Sequence, residues 1–118
     1  MNFSYQLVEM LKDKKAIKSD SEAANLITGL NKQNISQIKS AKRHLTEEQA
    51  LFIAHECNIN PEWVLVHLAE EVSKYEEAKK VWSNLAKKIN KSVSAAILAL
   101  IVVFSGYTQN IGHSPRFA

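Results

Sequence analysis

Cysteine, proline and glycine are all scarce in this chain: one, two and three residues. The single thiol, Cys57, rules out an intrachain disulfide and fits a reducing compartment, where such a residue serves mostly as a small buried hydrophobe. So few glycines and prolines leave the backbone little interrupted, and a mostly helical protein is expected. Catalytic signatures are missing as well. There is no phosphate-cradling glycine loop, no nucleophile elbow and no Ser-His-Asp order. His44, His55, His67 and His113 do not fall at the short paired spacings of zinc ligands, and His55 and Cys57, two apart, point to different faces of a helix. Glu47 and Glu48 read as charge complementing a helix N-terminus rather than as a catalytic pair. The expectation is therefore no enzyme activity, no metal and no cofactor. The opening residues, Met1 to Gln6, show no basic region before an apolar run, so no secretory signal is expected and a cytoplasmic location is.

What is present is a localised charge pattern. Residues 1 to 69 balance eight cations against eight acids, yet from Lys32 to Arg43 there are four cations (Lys32, Lys39, Lys42, Arg43) and no acid. Such a concentration is the electrostatic footprint that phosphates require, and the net charge of +3 adds weakly to it.

The helical punctuation is explicit between Ser4 and Ala69. The first helix is expected from about Ser4 to Ala16, with Tyr5, Leu7, Val8 and Leu11 as its apolar stripe. Ser19 to Glu22 has capping-box spacing and opens a second helix running to Thr28, where Gly29 is expected to end it in the left-handed conformation. Asn31 caps a third helix over about Lys32 to Ala41. Its Ile35 and Ile38, three apart, face inward and turn Lys32, Gln33, Asn34, Ser36 and Gln37 outward. Those are residue types that read base edges: amides for adenine, cations for guanine, hydroxyls for either. Thr46 to Gln49 is a second capping box, opening a fourth helix that buries Ala50, Leu51, Ile53 and Ala54. Asn60 before Pro61 opens a fifth, with Trp63, Val64, Val66, Leu68 and Ala69 available for packing. An all-α domain of five short helices over residues 1–70 follows.

Residues 5 to 69 resemble the lambda-repressor/Cro-like helix-turn-helix family, particularly its small phage regulators. In that family a Gly-x-Ser-x-Gln-x-Ile-Ser-like segment precedes a basic turn, and an Asn-Pro-Glu-Trp-like start opens the last helix. Here Gly29, Gln33, Ile35, Ser36, the Lys42-Arg43 turn and Asn60-Pro61-Glu62-Trp63 carry the match. Four residues before the turn glycine, where the family usually has a small alanine, this chain has Asn25, with Ala24 one step earlier. The resemblance implies a sequence-specific regulator, most like a phage or prophage repressor, with its third helix in the major groove of double-stranded DNA. Gln33 and Gln37 are then the main base readers, with Lys32, Asn34 and Ser36 beside them. Ser21, Asn31, Lys39, Lys42 and Arg43 hold phosphates and set the register. One such module makes a small interface, so a homodimer on a two-fold operator is expected.

Residues 72–118 form a second part. Tyr75, Ala78, Trp82, Leu85 and Ile89 follow steps of three and four, which predicts an amphipathic helix from about Ser73 to Asn90. Its stripe suits packing on the first domain and pairing of two copies equally. Between Ser92 and Pro115 there is no charge, and residues 93–104 are almost wholly apolar, a dozen against the roughly 17–25 of a spanning helix. Burial or oligomerisation is one reading, with Trp82, Leu85, Ile89, Ile97 and Leu100 as contacts. Membrane insertion of residues 93–111 behind Lys87, Lys88 and Lys91 is the other. That second reading belongs to a rival function, an inner-membrane- or partner-tethered adaptor whose helical domain docks protein in the cytoplasm.

Overall fold

Local side chains write most of the helix starts. The computed structural model describes residues 2–92, and there the chain is all-α: α1 (Phe3–Lys15), α2 (Asp20–Leu26), α3 (Lys32–Lys39), α4 (Glu47–Cys57), α5 (Pro61–Val72) and α6 (Glu76–Ala86). Asn2, Ser19, Asn31, Thr46 and Asn60 each accept a backbone N–H of the helix that follows, satisfying a donor with no partner inside that helix. Both α3 and α4 carry full capping boxes, Asn31 with Asn34 and Thr46 with Gln49.

Three of the helices, α1, α3 and α4, end by one scheme despite the shortage of glycine. Ala16, Ala41 and Asn58 take the left-handed conformation at φ 55°, 64° and 55°. The next residue in each case donates back across the last turn: Ile17 to Lys12 O at 2.8 Å, Lys42 to Gln37 O at 2.8 Å, Ile59 to Ala54 O at 2.9 Å. These are Schellman bonds. An alanine there costs roughly 1 kcal/mol that glycine would not, and the carbonyls it satisfies are the return.

One expected terminus is corrected. Gly29 does not end α2, which stops at Leu26. Ile27 leaves the helix with extended backbone (φ −104°, ψ 117°) and sinks into the core at 2% exposure. Burying that side chain is what draws the chain out of the helix early. Gly29 still has φ +84°, in the turn that leads to α3. Asn25 is exposed while Ala23 and Ala24 are buried, so the small pair meets the core one register step earlier than the family pattern places it.

The core surrounds α1, which touches α2, α3, α4 and α5. Leu7, Val8 and Leu11 meet Ile35, Ile38, Ile53 and Val64 in one cluster, all with no exposed surface. Tyr5 is buried with its hydroxyl 3.2 Å from Asp20, which also pairs with Lys12 at 2.9 Å. Burial first, then the Glu9 and Asp20 carboxylates, push the Tyr5 phenol above its ordinary value. Cys57 packs half-buried against the core, and that burial raises its thiol.

The C-terminal helix also differs from expectation. Rather than running from Ser73 to Asn90, it begins at Glu76, because Ser73 and Tyr75 are extended (ψ 139° and 132°), and it ends at Ala86. It lies along α5. Afterwards the chain returns to the start of α5. The amide of Asn60 donates to Lys91 O at 2.8 Å, its side-chain Nδ2 donates to Asn90 O at 3.1 Å, and Ile59 bridges Ser92. Among the described residues no helix is long and apolar enough to cross a membrane. The apolar run, with Ile97, Leu100 and the candidate membrane segment 93–111, lies outside the described residues.

Candidate nucleic-acid interface

Because Ile35 and Ile38 are fully buried, the opposite side of α3 has to face outward. Lys32, Gln33, Ser36 and Lys39 are exposed there, and Asn34 and Gln37 are half-buried at its edge. Ser21 and Asn31 are exposed, as are Lys42 and Arg43 in the turn after α3. Among the described residues none of the four cations enters a salt bridge. No carboxylate among the described residues therefore neutralises their charge.

Four of the ten side chains, Asn31, Asn34, Gln37 and Lys39, already make contacts in the fold. Asn31 Oδ1 accepts the Asn34 amide at 2.8 Å, and Asn34 Oδ1 accepts the Asn31 amide at 3.2 Å. What Asn34 keeps for a ligand is its Nδ2, which now makes a long 3.4 Å contact to Gln37 Oε1. Gln33, Lys32 and Ser36 carry no such commitment among the described residues.

Several supporting groups hold this face. Asn2, besides capping α1, donates from Nδ2 to Ile38 O at 2.6 Å and so ties the C-terminal end of α3 to α1. Lys39 Nζ stands 5.6 Å from the centre of the Tyr5 ring, a cation–π contact. Gln49 Nε2 donates to Thr28 O at 3.0 Å and locks the turn between α2 and α3. A Cβ on Gly29 would come within 3.3 Å of that nitrogen and press on the Gln49 amide, while the φ of +84° itself favours glycine.

The basic turn has its own anchor. Leu45 is 3% exposed and donates its N–H to Ser4 Oγ at 3.1 Å. Ser4, fully buried, donates its hydroxyl to Glu71 Oε2 and its N–H to Glu71 Oε1 at 3.0 Å. His44 Nδ1 meets the same Oε2 at 2.8 Å. One carboxylate at the end of α5 therefore satisfies the first turn of α1 and clamps the residue next to Arg43. Nothing local marks this network: Ser4 and Glu71 are 67 positions apart. Gln49 is legible as part of a capping box but its second bond is not, and neither role of Asn2 is.

Away from this face, His67 stacks on Phe3 at 5.0 Å and meets Trp63 at 4.5 Å, pinning the start of α1 to α5. Desolvation lowers its pKa. Among the described residues no three His, Cys, Asp or Glu side chains gather to hold a metal.

No family model, curated protein or solved structure matches this chain.

Proposed function

We propose that this protein is a sequence-specific, DNA-binding transcriptional regulator of the lambda-repressor/Cro-like kind, acting as a homodimer on a two-fold operator. One observation carries the reading: a helix anchored by two buried isoleucines presents amides, a hydroxyl and cations that enter no salt bridge among the described residues, with a clamped basic turn at its end. In this reading α3 enters the major groove. Gln33 and Gln37 make bidentate bonds to base edges, with Lys32, Ser36 and Asn34 Nδ2 beside them. Lys39, Lys42 and Arg43 bind phosphates. Ser21 and Asn31 meet the backbone from the two helix starts and fix the register. The tethered-adaptor alternative depends on residues 93–111, and nothing among the described residues favours it.

The test begins with a duplex enriched from a random pool by the full chain. Gln33→Ala and Gln37→Ala should each cost about 1–3 kcal/mol on that duplex while leaving binding to unrelated DNA nearly unchanged. Equal losses on both would remove these residues from base reading. A pool that yields no enriched sequence would remove the regulator reading itself.

A further inference from the structure

We infer that the outer face of α6 pairs with the same face of a second copy, the two helices antiparallel about a two-fold axis. This names the surface behind the homodimer proposed above and rests on that reading for its role.

At about 100° per residue, Glu77, Val81, Asn84 and Leu85 fall on one side of α6 with Lys80 at its edge, and Lys88 stands exposed in the turn that continues the helix, its N–H donating to Leu85 O at 3.0 Å. Ala86, on the other side, is 5% exposed, Ala78 and Trp82 are half-buried where α6 lies along α5, and Ile89 is half-buried just after the helix. Val81 and Leu85 are 53% and 41% exposed. Trp82 and Ile89, two members of the heptad stripe, are thus turned toward the protein's own core, whereas Leu85 is turned away from it. The outward row reads acid, apolar, amide, apolar, base along the axis. Among the described residues neither Glu77 nor Lys88 has a salt-bridge partner.

A row of that order complements itself only when reversed. Laid antiparallel, two copies bring Val81 of one against Leu85 of the other on both sides of the axis, and each Glu77 meets a Lys88. Laid parallel, they would set Glu77 against Glu77 and Lys88 against Lys88. The antiparallel arrangement is the isologous contact that a two-fold operator demands. A face of 11 residues, roughly 16 Å long, is smaller than the ~800 Å² per partner of a stable interface. The pair is therefore weak and reversible in free solution, and it tightens when both copies are held on one DNA.

Sedimentation of the full chain without DNA, over a wide concentration range, is the test. Glu77→Lys and Lys88→Glu should each weaken association about tenfold, and the double exchange should restore it. In a Cys57→Ser background, mixed Val81→Cys and Leu85→Cys proteins should form the 81–85 cross-link faster than either symmetric one. A chain that stays monomeric throughout overturns the pairing. So does a dimer indifferent to both charge reversals, which would assign the contact elsewhere, including to residues 93–104. Association that follows this pattern without any sequence-specific DNA binding would keep the pairing and sink the regulator reading; specific binding by a strict monomer would do the reverse.

Discussion

Replacing Glu71 with alanine is expected to lower the stability of the fold by about 3 kcal/mol and its melting temperature by roughly 10–15 °C. The side chain is only 10% exposed, and its two oxygens are shared by three donors: the Ser4 amide, the Ser4 hydroxyl and His44. The Ser4 amide is one of the unpaired donors in the first turn of α1, where a negative charge also meets the positive end of the helix dipole. Without the carboxylate, a hydroxyl with no exposed surface and a helix-start amide lose their acceptors together, which is the expensive way to break a polar network. Glu71→Gln keeps one acceptor and should recover part of the loss. Its neighbour supplies the control. Glu70 is paired only with His67 at 3.6 Å among the described residues, and Glu70→Ala should cost under about 0.5 kcal/mol. Urea and thermal unfolding of the three variants decide the matter. Similar losses for Glu70→Ala and Glu71→Ala would show that the Ser4 network stabilises nothing beyond an ordinary surface pair.

What could be read from the sequence divides by distance along the chain. The starts of α2 to α5 were legible because a cap and the amide it binds lie two or three residues apart, and because proline at the first helical position needs no partner. The inward facing of Ile35 and Ile38, and hence the outward placing of Lys32, Gln33 and Ser36, followed from helical period alone. The end of α2 did not. Gly29 signals a left-handed residue, which it is, but the pull of the core on Ile27 acts two residues earlier and has no local signature. The left-handed Ala16 and Ala41 were hidden because alanine is the strongest helix former, and only tertiary packing makes it a helix stop. Along α6 the step of three and four was real, but periodicity names a stripe without saying which neighbour it meets. The packing on α5 divided that stripe, leaving Leu85 outside and Trp82 half-buried. At the candidate site the outward-facing residue types were legible, whereas the clamp from Glu71 through Ser4 to the basic turn was not, since its members are 27 to 67 positions apart.

Removing Lys42 and Arg43 together, as the double alanine variant, should produce the largest loss of DNA affinity of any change considered. In the proposed complex each copy would give up two phosphate contacts and a dimer four, and log K should lose about 0.9 of salt slope for every contact removed. At physiological salt that amounts to roughly three orders of magnitude, on cognate and unrelated duplexes alike, because counterion release carries no sequence information. Stability should change little. Both side chains are exposed, with no ion pair among the described residues, and the turn is held instead by the Lys42 amide on Gln37 O at 2.8 Å and by buried Leu45. That separation makes the result interpretable: a variant with wild-type unfolding and a flattened salt dependence has lost charge at the interface, not the shape of the turn. Titrations across a range of potassium chloride, on the enriched duplex and on an unrelated one, give both slopes. The pattern should also differ in kind from that of Gln33→Ala, which lowers affinity for one duplex and leaves the slope intact. Parallel slopes for the wild type and the double variant would take the basic turn off the DNA.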